Sequence, residues 1–217
     1  MFETNSHLEE NSLPKLPGAY FIPNFIDEEL EEMLLAESIK NKGAKEGFIS
    51  GKIGPFVKVY TPKSFLREQV PSGLVKYVET LKENEIFHEN PIQISVNLYE
   101  DDTKGMVPHK DGAGTYGTIL TVGSPVLLNF WYKPAPEGRV SSTLVFIQLD
   151  KGEDSLQLPG KLSNLEIPYR HDVSVYMEPR SLLILSGESF IDWAHGIAPT
   201  GGTCEIQKDD IVNSHLL

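Results

Sequence analysis

The feature that most constrains the fold is a series of short strand-like segments that begins at residue 92. The segment IQISVNLY at 92–99 alternates strictly between apolar and polar side chains. Such alternation is typical of a β-strand with one buried face. Many short strands separated by Gly, Pro and Asp turns indicate a sandwich or a double-sheet barrel of the jelly-roll type. The later segments of this kind are 117–122, 126–132, 142–149, 172–177, 181–186 and 193–198.

The part of the chain before these strands predicts helices that cover the sheet. A strand at 19–25 leads to a helix at 27–40, whose first turns carry acidic residues, as the helix dipole favours. A second helix at 71–83 begins at a proline and has apolar residues on one side. Residues 1–17 are polar with two prolines, and we expect a flexible tail there. The expected fold is one mainly β domain with flanking helices over 18–217.

Composition limits the class of protein. The chain has 217 residues, 40% of them hydrophobic and 23% charged, as in an ordinary globular domain. Its apolar runs are too short to span a bilayer, and its first residues lack the apolar stretch of a secretory signal. The one cysteine, Cys204, cannot form an internal disulfide and fits a reducing compartment. We expect an intracellular protein of the cytoplasm or nucleus with no membrane partner.

The net charge of −12 argues against strong non-specific binding of nucleic acid. Proteins that neutralise many phosphates usually present a basic face, because counterion release drives that binding. We therefore expect at most weak non-specific binding. The one mild basic cluster consists of Lys40, Lys42, Lys45, Lys52, Lys58 and Lys63.

A candidate metal site begins with His109 and Asp111 in the sequence PHKDG. Side chains two residues apart on extended backbone point to the same face, which suits two ligands of one ion. The pattern alone is weak, since His7 and Glu9 show the same spacing near the terminus. His195 in DWAHGI is the candidate third ligand. Two histidines and a carboxylate can form the facial triad of non-haem Fe(II), although a zinc hydrolase could use the same three ligands.

Several sequence blocks, in order, resemble one enzyme family. They are NLY, PHKDG, GTILTVGSPVLLNFW, EPRSLLILSG and HGIA. Together they are similar to the AlkB-like Fe(II)/2-oxoglutarate-dependent dioxygenases, in particular to the group of the sixth AlkB homologue. The similarity covers residues 18–198 and implies a double-stranded β-helix (jelly roll). It also implies that His109, Asp111 and His195 bind iron, and that 2-oxoglutarate and O₂ are cosubstrates.

The resemblance also implies cosubstrate contacts. In the family, an Asn-x-Tyr pattern on the strand before the first histidine contacts 2-oxoglutarate, and Asn97 and Tyr99 match that pattern here. Arg180 lies in the matching block EPRS, but we expect it to fix a turn rather than to bind the cosubstrate.

The chain departs from the family after His195. Family members continue into a strand whose first arginine grips the distal carboxylate of 2-oxoglutarate, a bidentate contact that lysine cannot copy. Here no arginine follows His195, and Lys208 is the sole cation there. The expectation is a C-terminal truncation, either of the sequence itself or as a natural short form. A divergent member without catalysis is the alternative.

The predicted reaction is oxidative demethylation or hydroxylation of an alkylated nucleic acid or a protein. A catalytically silent metal-binding or interaction protein and a zinc hydrolase remain as alternatives. The same ligand set serves all three, so the residues alone do not separate them.

Overall fold

Most of the predicted strands are present as antiparallel strands. The structure, a computed structural model, describes residues 6–43, 49–50, 56–99, 105–111, 116–132, 172–197 and 211–214. The strands in these ranges are β1 (Ala19–Ile22), β2 (Ile49–Ser50), β3 (Phe56–Tyr60), β4 (Ile94–Leu98), β5 (Met106–His109), β6 (Tyr116–Leu120), β7 (Val126–Tyr132), β8 (Val173–Met177), β9 (Leu182–Ser186) and β10 (Trp193–Ile197). The helices there are α1 (Ser6–Glu9), α2 (Glu28–Gly43), α3 (Pro62–Leu66), α4 (Ser72–Glu83) and α5 (Gly187–Ile191). The fold is therefore mainly β with few helices, as predicted; the strand expected at 142–149 lies outside the described residues.

Two antiparallel sheets face each other across one apolar core. The first has the strand order β1-β9-β6 and the second the order β5-β10-β7-β8. Inward-pointing side chains of both sheets form a single buried cluster, as two facing sheets require. The double-stranded β-helix that the resemblance implies stays a prediction. The buried members of the cluster are Leu13, Leu16, Ala19, Phe21, Leu128, Phe130, Val173, Val175, Met177, Leu183, Leu185, Phe190 and Trp193.

The helices cover the outer face of the sheet β1-β9-β6. Tyr20, Leu182 and Ile184 on that face pack with apolar side chains of α2 and α4. Strand β9 is thus buried on both faces, which explains its apolar run LLIL at 182–185. The prediction that the helices cover a sheet is confirmed. No helix in the described ranges is long and apolar enough to cross a bilayer.

The N-terminal segment differs from the flexible tail that its composition predicts for 1–17. In the described part, 6–17, Leu8, Leu13 and Leu16 are all buried. The backbone is also tied down, because the N–H of Leu13 donates to the carbonyl of Ala19 at 2.9 Å. The spacing of these three leucines follows neither a helical nor a strand period, so the sequence pattern did not predict their burial. Burying them offsets the loss of conformational entropy when the segment becomes ordered. The tail expectation is corrected for these residues.

A buried carboxylate ties helix α2 to two turns of the sheets. Glu31, which is 9% exposed, accepts a hydrogen bond from the N–H of Gly123 at 2.8 Å. Its other oxygen lies 3.4 Å from the guanidinium of Arg180. Arg180 is in the left-handed region (φ 66°), and its carbonyl accepts the N–H of Phe25 at 2.8 Å. The expectation that Arg180 fixes a turn is therefore confirmed, and its side chain is engaged on the helix side of the molecule.

We expect Glu31→Ala to lower the free energy of unfolding by about 1–3 kcal/mol, because it removes the acceptor of the Gly123 N–H and leaves the Arg180 guanidinium with Glu28 as its remaining carboxylate partner. Chemical denaturation would measure the change. Glu32→Ala is the matched control, since Glu32 is exposed on the same helix and should change stability by less than about 0.5 kcal/mol. Equal effects of the two substitutions would contradict the role of Glu31.

Candidate metal centre

Two histidines that are far apart in the sequence meet through the pairing of β5 with β10. In this antiparallel pair His109 and His195 are directly opposite each other. Directly opposite residues project to the same face of a sheet. The two ring centroids lie 4.6 Å apart with an interplanar angle of 54°. Backbone pairing alone therefore brings the two imidazoles together.

The carboxylate of Asp111, two residues after the end of β5, completes the cluster. Its Oδ1 lies 3.7 Å from Nε2 of His109, and its Oδ2 lies 3.9 Å from Nε2 of His195. One possible ligand atom from each of the three residues lies within 4.8 Å of the others. The structure thus brings together the three predicted metal ligands, and their binding of an ion stays a prediction. Within the described ranges this is the one such group of three or more His, Cys, Asp or Glu side chains.

The site is closed on one side and open on the other. His195 is only 3% exposed, whereas the Asp111 side chain is 43% exposed. Burial lowers the pKa of His195 to about 4, and the neighbouring His109 acts in the same direction against the opposing effect of Asp111. The ring is therefore neutral near pH 7, which leaves a nitrogen lone pair for an ion. An ion can enter from the side of Asp111.

Apolar packing fixes the position of His195. Phe130 of β7 is its register partner on the side away from β5, and the two ring centroids lie 5.9 Å apart. Phe130 is fully buried in the core between the sheets. The imidazole therefore lies between a fully buried aromatic ring and the ring of His109.

Gly196 is a site residue that the sequence reasoning did not single out. The pairing of β10 with β5 is irregular between His195 and Ile197. A methyl group built on Gly196 would lie 2.7 Å from the carbonyl oxygen of Met106 and 3.0 Å from the nitrogen of Pro108. Both are backbone atoms of β5, so only glycine permits this approach of the strands. The available signal was the glycine directly after the distal histidine.

The two predicted cosubstrate residues lie in different surroundings. Asn97 is exposed on β4, which belongs to the separate sheet β2-β3-β4, and it pairs with Val57. The hydroxyl of Tyr99 donates to the sulfur of Met106 at 3.7 Å, and Met106 is the first residue of β5. Burial raises the pKa of Tyr99 above its ordinary value. Among the described contacts, Tyr99 touches the strand of His109 and Asn97 does not; the roles of both toward 2-oxoglutarate stay predictions.

The aromatic residues near the site pack in the protein, as expected for most of them. Phe130 and Trp193 belong to the core between the sheets, and Trp131 is buried. Tyr116 stacks on Phe87 with ring centroids 5.2 Å apart.

The lysine cluster is described only in part. The side chains of Lys58 and Lys63 are described, and Lys58 lies over the ring of Tyr60 at 5.5 Å. The other four lysines of the cluster lie outside the described side chains.

We expect Gly196→Ala to force β10 away from β5 and to weaken binding of a divalent ion, with a stability loss of about 1–3 kcal/mol. Calorimetric titration with Co²⁺ would measure the affinity. Gly187→Ala is the matched control: a methyl there meets nothing within 4 Å, but the φ of 52° makes it cost about 1–2 kcal/mol. The control should lose stability and keep metal affinity. Equal metal affinity in both variants would contradict the role of Gly196.

Comparison with known proteins agrees with the sequence blocks. No protein-family model matches the chain. A curated relative from Danio rerio named "Probable RNA/DNA demethylase ALKBH6" is 28% identical over 205 residues, which cover 93% of this chain and 75% of the relative. The match extends over nearly the whole chain rather than over the His-x-Asp block alone. This similarity supports the AlkB-like resemblance that the ordered blocks of the sequence indicate.

Proposed function

We propose that the protein is an Fe(II)- and 2-oxoglutarate-dependent dioxygenase that demethylates or hydroxylates its substrate. The observation that carries the proposal is the convergence of two imidazoles and one carboxylate, with possible ligand atoms within 4.8 Å of each other. A triad of this type leaves coordination positions for a cosubstrate and O₂. The similarity to a relative named as a demethylase supports the same reaction class.

The donor set fits ferrous iron. His109, Asp111 and His195 would hold the ion; together with 2-oxoglutarate and O₂, it supplies the oxidation of a substrate C–H bond. His195 is neutral before an ion arrives because burial lowers its pKa to about 4, so it binds without first losing a proton. Asp111 offsets one positive charge of the ion. Burial on the His195 side keeps water from that half of the site.

Tyr99 is the better supported of the two cosubstrate residues. Its raised pKa keeps the hydroxyl protonated at neutral pH, so it can donate to a carboxylate. Its acceptor in the structure is the thioether sulfur of Met106 at 3.7 Å, which is a weak acceptor. The hydroxyl could therefore exchange this contact for one to 2-oxoglutarate. Asn97 is proposed for the same cosubstrate on the sequence pattern alone.

A second function, metal binding without catalysis, is favoured by the position of Arg180. The guanidinium lies 3.3 Å from Glu28 and 3.4 Å from Glu31, both on α2. It is thus engaged by carboxylates on the helix side of the sheet β1-β9-β6. None of its described contacts is with His109, Asp111 or His195.

We expect the protein loaded anaerobically with Fe(II) to show a visible charge-transfer band when 2-oxoglutarate is added. The band arises only when the cosubstrate chelates the iron, so it reports on both sites at once. His109→Ala should abolish it. His88→Ala is the matched control, since His88 is exposed and outside the triad, and it should keep the band.

The other outcomes separate the alternatives. Iron binding without the band would favour a metal-binding protein that has no dioxygenase activity. Hydrolytic activity that needs zinc and neither 2-oxoglutarate nor O₂ would favour a zinc hydrolase.

We propose an alkylated nucleic acid as the substrate class and an intracellular site of action. The relative's printed name describes an RNA/DNA demethylase. With a net charge of −12, we expect weak binding that depends on the alkylated base more than on the phosphates.

We expect the protein to release succinate with a methylated oligonucleotide and not with its unmethylated counterpart. Mass spectrometry of the oligonucleotide would detect loss of the methyl group, and His109→Ala should show neither product. Methyl loss from a protein substrate alone would instead support the protein-directed reaction.

A further inference from the structure

Gly117 of β6 faces a narrow gap between the Asp111 carboxylate and the ring of Phe190. A methyl group built on Gly117 would lie 3.2 Å from Cε2 of Phe190 and 4.0 Å from Oδ2 of Asp111. Carbon atoms in favourable contact are about 3.5–4.0 Å apart, so the first of these distances is too short. Because residue 117 is glycine, the Phe190 ring and the Asp111 carboxylate can both lie close to its backbone.

Phe190 has a fixed place in the structure. It is buried in the core between the two sheets, and it lies on α5, the short helix between β9 and β10. The strand that follows carries His195, with Trp193 at its start donating from Nε1 to Glu188 of α5 at 3.3 Å. The segment from α5 to β10 thus carries both the candidate metal ligand His195 and the ring of Phe190, which lies near the candidate ligand Asp111.

The N-terminal segment holds α5 in place. The N–H and the hydroxyl of Ser186 both donate to the carbonyl of Gly18, each at 2.9 Å. The N–H of Ser189 donates to the carbonyl of Pro17 at 3.0 Å. Gly18 has a φ of 81°, and a methyl group on it would lie 2.2 Å from the carbonyl oxygen of Ser186. Position 18 therefore requires glycine. The hydrogen bonds to the carbonyls of Pro17 and Gly18 fix the start of α5 against the N-terminal segment.

Within the described part of the chain, few polar contacts hold the Asp111 carboxylate. It is 43% exposed, and nitrogens of the two imidazoles lie 3.7 and 3.9 Å from its oxygens. Both distances exceed a hydrogen bond. Turning the carboxylate toward Phe190 would remove water from a charged group without replacing its hydrogen bonds, which is unfavourable.

We propose that Phe190 is a positioning residue for Asp111, because its ring closes the β6 side of the carboxylate with apolar surface and keeps the oxygens turned toward the imidazoles. The inference rests on the proposed metal site. Groups that surround metal ligands without touching the ion can set the orientation of the ligands and the access of solvent.

The test is Co²⁺ binding by the full chain, measured as affinity by calorimetry and as the visible absorption spectrum, which responds to the number and arrangement of ligands. Phe190→Leu keeps an apolar side chain and removes the ring edge. We expect it to weaken Co²⁺ binding by about tenfold and to change the spectrum, in the range that neighbours of metal ligands produce.

Phe21→Leu is the matched control. Phe21 belongs to the same buried cluster and lies on β1, whereas the close contacts of the Gly117 gap are to Phe190 and Asp111. We expect it to lower the melting temperature as Phe190→Leu does, while the Co²⁺ affinity and spectrum remain those of the unmodified protein. Equal affinity and the same spectrum in both leucine variants would overturn the inference.

A second variant keeps the test decisive if Phe190→Leu does not fold. Gly117→Ala retains the ring and places a methyl group 3.2 Å from it, so the ring must shift from its place beside the carboxylate. We expect weaker Co²⁺ binding here too, and unchanged affinity and spectrum would overturn the inference. If neither the unmodified protein nor His109→Ala binds Co²⁺, the proposed metal function fails together with the inference. Binding that requires His109 but is insensitive to Phe190 and Gly117 removes the inference alone.

Discussion

The backbone pairing of β5 with β10 is the interaction on which the site depends. The strand register places the two imidazoles opposite each other. Because side chains alternate along a strand, a slip of one residue would turn one histidine to the other face and dissolve the cluster. The irregularity after His195 and the close backbone approach at Gly196 belong to the same pairing. The main-chain hydrogen bonds between β5 and β10 thus determine where the two candidate histidine ligands lie.

The remaining layers hold this pair of strands in place without taking part in the cluster. Strand β10 lies between β5 and β7, and the core beneath it is shared with the sheet β1-β9-β6. Beyond that sheet lie the helices, where Glu31 and Arg180 tie α2 to two turns. The ionic contact lies on the helix side of the sheet β1-β9-β6, whereas His109 and His195 lie on strands of the other sheet, β5-β10-β7-β8. Stability on the helix side and chemistry on the other can therefore be altered separately.

Local patterns predicted much of the fold and only part of the site. The alternation and apolar runs located β7 with its bounds and β9 within one residue, because these strands bury one or both faces. Spacing also placed His109 and Asp111 on one side. That His195 meets them depends on which strands are neighbours, which is a long-range property that local spacing does not contain. The burial of Leu13 and Leu16 was missed for the opposite reason, since isolated leucines in a polar segment have no period.

The exposed edge of the cluster has a consequence for the isolated protein. Asp111, at 43% exposure, opens the cluster to the solvent on one side, so an ion held by three side chains could leave and be replaced. Nitrogen and oxygen ligands bind Ni²⁺, Cu²⁺ and Zn²⁺ more tightly than Fe²⁺. The metal recovered with the purified protein would then reflect the ions present during expression and purification. Its identity in the cell would be set by metal supply rather than by the strength of the site.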